Sequence, residues 1–363
     1  MNHPLGAPAS LPQVAIVVLN WNGWNDTVEC LEALQQLEYP DYRIIAIDNG
    51  SSDASVARIQ QWARGELPVA SALVHYDTSS KPVCLAEYTS VQAEVGGVAE
   101  LEAALERAPS GRALVLVTIG TNQGFAAGNN VGLRYALACG FPYVLLVNND
   151  VMVDRDVLSQ LVSCLEGRPT WAGVAPKVLQ RSDPGRVLYA GGTLRLWQAR
   201  AVHRGRFTPD GPRWCGTRTT EHLSACCALF RAGFLRDAGL LDETFFFGQE
   251  DVALSCVARE RGWQLGVQLD AKVVHNEGRS LESRPAASVY YYAKYRLLLL
   301  TKHGSRLQVL VGFLFLGLSR LVKFALALLR GRSHLIKAEI RGYRDFFGGR
   351  LAEYDREQAR AAG

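Results

Sequence analysis

The sequence predicts an α/β fold built on a mostly parallel sheet with helices on its faces. The first observation is a series of apolar runs that end in polar residues, as in Val14–Asn20, Ile44–Ile47 and Tyr143–Val147. Such runs are typical of strands buried on both faces of a parallel sheet. The second observation is that amphipathic segments separate these runs, with short polar turns between them. Strand, helix and strand in this order form right-handed βαβ units.

Local sequence supports each further element. Apolar spacing and an acidic first turn predict the first helix, and a polar turn can cap the second. Gly140 and Gly262 end two later helices. The predicted helices are Asp26–Leu37, Ala54–Ala63, Val98–Arg107, Ala127–Cys139, Arg155–Glu166 and Val252–Arg261. The further predicted strands are Val69–Tyr76, Leu114–Gly120 and Ala271–Val274. Residues 174–216 suggest antiparallel or loop-rich structure, and Ser79–Gly111 is interpreted as an inserted flap or surface excursion.

Composition places the chain among ordinary globular proteins. Its 363 residues are 48% hydrophobic and 20% charged, enough for one large domain or two. The net charge of +4 is too small to indicate nucleic-acid binding, and no nucleic-acid partner is predicted. Eight scattered cysteines without a CxxC pair favour reduced thiols in a cytosol. The first residues lack the basic flank and apolar core of a signal peptide.

The end of the Tyr143–Val147 run is the first candidate site. Asn148, Asn149 and Asp150 follow it directly. Ligands in open α/β sheets bind beyond the carboxyl ends of the strands, and a carboxylate is a suitable ligand for Mg²⁺ or Mn²⁺. The alternative is that these residues merely cap a strand before a helix.

Similar polar groups follow other predicted strands or begin helices. They are Asn20–Asn22, Asp48–Asp53, Gln249–Asp251 and His275. An acid at a helix start, such as Glu250 or Asp251, could act as general base for an incoming hydroxyl, or could simply stabilise the helix dipole. Gly124 and Gly128 enter a helix whose amide groups could attract phosphate, although glycines also serve helix–sheet packing. A lone histidine such as His275 is often structural.

Six segments in order carry a resemblance to a known family. They are VVLNWNG, IAIDNGSSD, NQGFAAGNN, LLVNNDV, FFFGQEDVAL and VVHNEGRS, within residues 13–303. The set resembles the family 2 inverting glycosyltransferases and, within them, the bacterial rhamnosyltransferase-like branch of cell-surface polysaccharide assembly. The resemblance implies a GT-A fold with a nucleotide-sugar half, residues 13–150, and an acceptor-binding half, residues 151–304. It implies transfer of a sugar, with rhamnose from a dTDP donor as a candidate, to a polyprenyl-linked or lipopolysaccharide acceptor.

The resemblance also assigns roles to individual residues. Asn20, Asp48 and Asn49 would contact the nucleoside, and the donor pocket near ribose and diphosphate would be lined by Asn122, Gly124, Gly128 and Asn129. Asp251 would be the catalytic base, with Glu250 as a supporting or alternate base. Asp150 would bind a divalent cation, Mn²⁺ or Mg²⁺, together with His275, which lies 24 residues after Asp251.

The chain departs from the family pattern at the metal motif. Asn148 and Asn149 occupy the first positions of the family's Asp-any-Asp triplet, so only Asp150 keeps a carboxylate. Fewer charged ligands imply weaker or more substrate-dependent metal binding. The processive branch carries a Gln-any-any-Arg-Trp motif, but here Asp210 precedes Arg213–Trp214, which favours a single-sugar transferase. A sugar nucleotidyltransferase or a non-catalytic nucleotide-sugar-binding protein is the alternative.

The last part of the chain is basic and apolar. From Thr301 onward, 12 Lys or Arg stand against 5 Asp or Glu, which leaves −3 for the rest of the chain. The charge-free run between Arg306 and Arg320 is shorter than the roughly 20 residues of a membrane span. An in-plane amphipathic helix on an anionic membrane surface is predicted, with a core or homodimer-interface helix as the alternative. The expected organisation is a leader, 1–12, a catalytic domain, 13–304, and a helical tail, 305–363, at the inner face of the cell membrane.

Overall fold

The structure, a computed structural model, describes residues 11–276, 285–329 and 331–351. Most of the predicted leader, part of the VVHNEGRS segment and the tail beyond residue 351 lie outside these ranges. The elements of the first half are β1 Val14–Asn20, α1 Trp24–Gln35, β2 Tyr42–Asn49, α2 Ser55–Arg64, β3 Cys84–Thr89, α3 Ser90–Glu94, α4 Ala99–Arg107, β4 Ala113–Ile119, α5 Phe125–Ala138 and β5 Tyr143–Asn148.

The second half contains more strands, most of them antiparallel to a neighbour. Its strands are β6 Val151–Val153, β7 Trp171–Gln180, β8 Asp183–Tyr189, β9 Gly192–Arg195, β10 Arg200–His203, β11 Thr217–Thr220, β12 Cys227–Arg231 and β13 Gln264–His275. Its helices are α6 Val157–Glu166, α7 Ala232–Ala238, α8 Glu250–Glu260, α9 Pro285–His303, α10 Arg306–Leu329 and α11 Ser333–Phe347. Short 3-10 helices cover 78–80, 196–198 and 212–214.

One sheet of 11 strands forms the centre of the molecule, and its main path runs β11-β13-β7-β12-β5-β1-β2-β4-β3. Strands β1 to β5 are all parallel to their neighbours within this group. Strand β12 enters antiparallel between β5 and β7, while β13 runs parallel to β7. The carboxyl ends of β1, β2, β5 and β13 therefore lie at the same edge of the sheet. The α/β prediction with a mostly parallel nucleotide-binding sheet is confirmed.

Buried apolar strands explain why this sheet forms. Every residue from Val14 to Val18 is fully buried, as the uninterrupted apolar run predicted. Helix α5 packs closely on the sheet because it carries glycines where its surface meets β1. A Cβ at Gly132 would lie 2.6 Å from Val17, and one at Gly128 would lie 2.7 Å from Leu19. Gly128 and Gly132 therefore both allow the close packing of the helix on the sheet, a common role of glycine.

Two sequence predictions are wrong between α2 and β4. Val69–Tyr76 forms no strand, because β3 occupies the sheet position beside β4. The side chains of Val69, Val74 and Tyr76 pack against the core from a segment without regular secondary structure. The segment 79–111 is not a flap. It supplies β3 at the sheet edge and helices α3 and α4, so it belongs to the body of the fold.

The C-terminal helices differ from expectation in length. Helix α10 continues through Arg320 and Lys323 for 24 residues, so the estimate that the apolar segment is too short to span a membrane is wrong. Both residues are good helix formers, which is why the helix does not break there. By length and composition it could cross a membrane, and only 17% of its most apolar window is buried. One face is nevertheless held by the protein, through buried Gly312, Leu316 and Arg320.

Candidate active site

The carboxyl ends of β1 and β2 are joined by a buried polar network. The Asn20 amide donates to Asp48 Oδ1 over 2.7 Å, and Asn20 is fully buried while Asp48 is 3% exposed. Ser51 donates to both Asp48 oxygens, through its hydroxyl at 2.6 Å and its N–H at 3.1 Å. Thr27 donates to Asn20 Oδ1 over 2.7 Å. These contacts fix the turns after the two strands.

The same network reaches the end of β5. Asn149 donates to the Thr27 hydroxyl over 2.9 Å, so Thr27 links β1 to the residue beside Asp150. The polar residues that follow three separate strands are thereby held together. Asp48 lies at one end of this chain of contacts and Asn149, the residue before Asp150, lies at the other.

A second polar group shapes the loop before α5. The Asn49 amide donates to Asn122 Oδ1 and to the Gly124 carbonyl, over 3.1 and 3.0 Å, while its own oxygen accepts from the Gln123 N–H. Gly124 has a φ of +89°, which favours glycine. The buried Asn129 donates back to the Phe125 carbonyl over 2.9 Å, within α5. The predicted donor-pocket residues thus build one loop and the helix start that follows it.

Asp150 and His275 lie in direct contact. His275 Nε2 is 3.1 Å from Asp150 Oδ1, and the side chains are 13% and 16% exposed. Antiparallel pairing of β6 with the end of β13 brings them together, because His275 pairs with Val151. Within the described ranges, no third His, Cys, Asp or Glu completes a metal-binding group. Two protein ligands still suit a hard divalent cation, which commonly takes one or two carboxylates plus substrate phosphates and water.

Asp251 lies at the start of α8 with well-defined partners. Its Oδ1 accepts from the Val252 N–H over 2.7 Å, and Oδ2 accepts from the Ala225 N–H over 3.3 Å. His222 Nε2 lies 3.3 Å from the same Oδ2, although without the alignment of a hydrogen bond. Burial raises the pKa of Asp251, but His222 and the Ala225 N–H outweigh it, so the net pKa is below its ordinary value. Asp251 is therefore ionised, and its side chain is 21% exposed.

Glu250 has the opposite character. It is 6% exposed, and its Oε2 has no hydrogen-bond partner among the residues described. Burial, followed by the neighbouring charge of Asp251, raises the pKa of Glu250 to about 8. The two adjacent acids are thus separated by their environments into one carboxylate and one carboxylic acid. The sequence could not make this distinction.

Residues 225–226 connect Asp251 to the end of β5. Ala225 N–H contacts Asp251, and the carbonyl of the next residue, Cys226, accepts from the Asn148 N–H over 2.8 Å. On the other side, the Phe125 N–H donates to the Phe246 carbonyl over 2.7 Å, which joins the donor loop to the loop before α8. These contacts connect Asp251 to the end of β5, and the donor loop to the loop before α8.

A pair of histidines that the sequence did not indicate lies behind Asp251. His203 and His222 stack with ring centroids 5.5 Å apart, and Tyr189 meets both rings edge-on. The Tyr189 hydroxyl donates to the His222 carbonyl over 2.6 Å, and His222 is 1% exposed. Burial and the charge of His222 lower the pKa of His203 to about 4. No motif or spacing marked these residues, because His203 at the end of β10 and His222 in the loop after β11 meet only in the folded chain.

Comparisons with known proteins agree with this architecture. The family model described as "Glycosyltransferase like family 2" matches residues 12–288. The low-salt glycan biosynthesis hexosyltransferase Agl10 of Haloferax volcanii is 22% identical over 159 residues, 44% of this chain and 50% of that protein. The galactofuranosyltransferase GlfT1 of Mycobacterium tuberculosis is 29% identical over 177 residues, 48% of this chain and 55% of that protein. The matches span about half the length of these relatives.

Two solved structures share the fold. The mannosyltransferase PcManGT from Pyrobaculum calidifontis, in complex with GDP-Man and Mn²⁺, has a TM-score of 0.52 and 15% identity, covering 93% of this chain and 88% of that chain. GalNAc-T7 with UDP, GalNAc and Mn²⁺ has a TM-score of 0.50 and 14% identity, covering 80% and 51%. At such identities the likeness establishes the fold alone, and it confirms the predicted GT-A type. Because the family model covers most of the chain, this protein belongs to the glycosyltransferase-like family 2.

Proposed function

We propose that the protein is an inverting glycosyltransferase that moves a sugar from a nucleoside-diphosphate donor to a lipid-linked or cell-surface glycan acceptor. The observation that carries the proposal is the position of the Asp251 carboxylate at the start of α8. It is held by Ala225 beside the strand end that also presents Asp150 and His275. A base and a candidate diphosphate-binding group thus lie at one edge of the sheet.

Asp251 acts as the general base in this proposal. The acceptor hydroxyl oxygen attacks the anomeric carbon while the carbon–oxygen bond to the diphosphate breaks. The nucleoside diphosphate leaves with that electron pair, and Asp251 takes the hydroxyl proton. Attack from the face opposite the leaving group inverts the anomeric configuration. Glu250 does not compete for this proton at neutral pH, because its raised pKa of about 8 keeps it mostly protonated there.

Asp150 and His275 would hold a divalent cation, Mn²⁺ or Mg²⁺. A bound cation would supply positive charge to the departing diphosphate. The amides Asn148 and Asn149 add no charge to this group, so donor oxygens would have to complete the coordination. Metal binding should therefore depend strongly on the presence of donor.

The donor would lie over the network of Asn20, Asp48 and Asn49. Because these side chains are buried and hydrogen-bonded to one another or to neighbouring loops, they would act chiefly by ordering the turns that meet the nucleoside. Ribose and diphosphate would lie against the loop from Asn122 to Gly124 at the start of α5. Directed hydrogen bonds at this edge suit recognition of a base and ribose.

The acceptor would be lipid-linked or part of a cell-surface glycan. The two relatives are named for glycan biosynthesis and for galactofuranosyl transfer, which supports a glycan as acceptor. The rhamnosyltransferase-like motifs keep rhamnose as a candidate sugar. We propose that α10 lies in the plane of the inner face of the cell membrane, since one helix face is exposed while the opposite face packs on the protein.

A donor screen tests the proposal. The full chain is incubated with a panel of nucleotide sugars and Mn²⁺ or Mg²⁺, with and without a polyprenyl-diphosphate-linked sugar, and released nucleoside diphosphate is measured. Metal-dependent release that increases with acceptor is expected. The NMR spectrum of the product should show the anomeric configuration opposite to that of the donor. Binding without release would indicate a non-catalytic binder. Formation of nucleotide sugar from sugar phosphate and nucleoside triphosphate would indicate a nucleotidyltransferase.

A further inference from the structure

Four cationic side chains meet where β10, α9 and α10 come together. They are Arg200, Arg296, Arg320 and Lys323, here called the cationic cluster. Arg200 and Arg296 both hydrogen-bond to Gln198, and Leu316, one helical turn before Arg320, packs in the same core cluster as Ala199 and Leu297. Arg296 is 5% exposed and Arg320 is 8% exposed, whereas Arg200 is half-buried and Lys323 is exposed. Two guanidinium groups are therefore buried behind two cations that solvent can reach.

Few carboxylates compensate these charges. Arg320 pairs with Glu339, whose carboxylate also accepts from the Tyr343 hydroxyl. Arg296 donates instead to the carbonyl oxygens of 198 and 199, and Arg200 donates to the Gln198 amide oxygen over 3.0 Å. Among the described residues, Glu339 is the one carboxylate that forms an ion pair with the cluster.

The uncompensated charge affects the pKa of Lys323. Burial, together with the like charges of Arg320, Arg296 and Arg200, lowers the pKa of Lys323. Cations that are partly removed from water without counter-charges are costly, and an anion placed among them removes that cost. A phosphate group has the charge and the acceptor oxygens that guanidinium groups bind well.

The surroundings of the cluster indicate the source of that anion. Helix α10 exposes an apolar face with the spacing of one helix side, consisting of Leu307, Leu310, Leu314, Leu318, Leu321 and Val322. Trp197 is 40% exposed and packs edge-on against Phe315 at 5.2 Å. Tyr292 is 44% exposed, with its ring 5.2 Å from the Arg296 guanidinium. Arg320 and Lys323 lie on the opposite, protein-facing side of α10. An apolar helix face opposed to a basic one, with aromatic rings nearby, is typical of a helix in the plane of a membrane surface.

We propose that the cationic cluster binds the phosphate of an anionic membrane-lipid headgroup while α10 lies in the plane of the bilayer. The inference deepens the proposed function and rests on it for the membrane location of the acceptor. Helix α9 connects the two sites. Arg296 belongs to the cluster, and the preceding Tyr295 accepts through its hydroxyl from the Phe246 N–H, over 2.9 Å, in the loop before Asp251. Lipid binding would thus orient the base towards a lipid-linked acceptor.

Vesicle sedimentation tests the site. The full chain is mixed with vesicles of phosphatidylcholine alone or with added phosphatidylglycerol, at low and high salt. The test variant is Arg200→Gln with Lys323→Gln, because these two side chains are the accessible ones. The matched control is Arg107→Gln with Arg236→Gln, which removes the same charge from exposed positions on α4 and α7. Circular dichroism checks that both variants fold.

Wild type and control should bind the anionic vesicles, more weakly at high salt, and neutral vesicles much less. The test variant should bind anionic vesicles about 30-fold more weakly, since each cation near an anionic surface contributes about fivefold. Equal losses in test and control variants would contradict the proposal, as would equal wild-type binding to neutral vesicles. Binding of inorganic phosphate that is lost in the test variant, without binding of wild type to anionic vesicles, would indicate a site for a soluble phosphate instead.

Donor turnover without vesicles separates this inference from the proposed function. If nucleoside diphosphate is released but the test variant still binds vesicles like wild type, the lipid site is wrong and the transferase stands. If charge-dependent vesicle binding occurs without turnover of any donor, the lipid site stands and the transferase proposal fails.

Discussion

His222 Nε2 lies 3.3 Å from Asp251 Oδ2, and the imidazole ring behind this contact is almost completely buried. His203 stacks on its far face, and Tyr189 donates to its main-chain carbonyl. The ring can therefore move little relative to the carboxylate. This arrangement keeps Asp251 ionised and oriented although burial alone would raise its pKa.

Replacing His222 with Gln should shift the pH dependence of transfer. Without the histidine the pKa of Asp251 rises, so the acidic limb of kcat/KM moves to higher pH and activity is lost first in acid. The measurement is a pH–rate profile for wild type, His222→Gln and the exposed control His75→Gln. A variant profile that coincides with wild type would mean that His222 has no positioning role.

Asp251→Asn should lower kcat by about 10²- to 10⁴-fold, the usual contribution of a general base. Donor affinity, measured by calorimetry with the nucleotide sugar, should change little because the substitution is nearly isosteric. Glu250→Gln is the matched control and should keep most of the activity, since Glu250 is already protonated at neutral pH. The reverse order of activities would assign the base to Glu250.

Glu250 should make stability depend on pH. Its pKa is raised in the folded protein from 4.5 to about 8, so the folded state binds the proton more tightly than the unfolded state. Its stabilising contribution is complete below about pH 4.5 and is lost as pH rises towards 8, with a limiting slope of about 1.4 kcal/mol per pH unit. Denaturant titrations from pH 5 to 8 should show this decline for wild type. It should be smaller in Glu250→Gln, and an unchanged slope would exclude Glu250 as its source.

Asp150→Asn and His275→Gln should each weaken metal activation. Loss of an outer-sphere partner already costs on the order of tenfold in metal affinity, so loss of a ligand should cost at least that. The Mn²⁺ concentration for half-maximal nucleoside diphosphate release, after chelator treatment, measures the effect. Asp156→Asn removes an exposed carboxylate and should behave as wild type. If all three variants match wild type, the cation site lies elsewhere.

Gly124→Ala should disturb the donor loop more than its backbone angle alone explains. Its φ is +89°, and an added Cβ would lie well inside contact distance of the Phe246 carbonyl oxygen. Gly140→Ala is the matched control, because φ is +82° and no heavy atom lies within 4 Å of that Cβ. Gly140→Ala should lose about 1–2 kcal/mol of stability from the left-handed backbone. Gly124, at φ +89° and ψ 174°, has a backbone conformation essentially restricted to glycine, so its backbone cost is higher. Gly124→Ala should lose more and should bind donor more weakly, whereas equal losses would contradict a role for the close approach.

The sequence itself determined the order of the strands and helices and the polar residues at their ends. Val14–Asn20 and Tyr143–Asn148 are strands because their apolar runs can be buried only between layers of helices. Motif order was enough to predict the GT-A fold, and the segment ends that carry Asp48, Asp150 and His275 lie where a parallel sheet places them. These features depend on neighbours in the chain and on a repeating pattern, which a sequence displays directly.

Only the tertiary structure decided which residues touch. It placed β3 in the sheet where Val69–Tyr76 was expected to form a strand, and it brought His222 to Asp251. It also gathered Arg200, Arg296, Arg320 and Lys323 on the protein-facing side of α10. It also separated Glu250 from Asp251, adjacent residues whose pKa values move in opposite directions. Burial and charge act through space, so the same carboxyl group is an acid or a base according to the atoms that surround it in the folded chain.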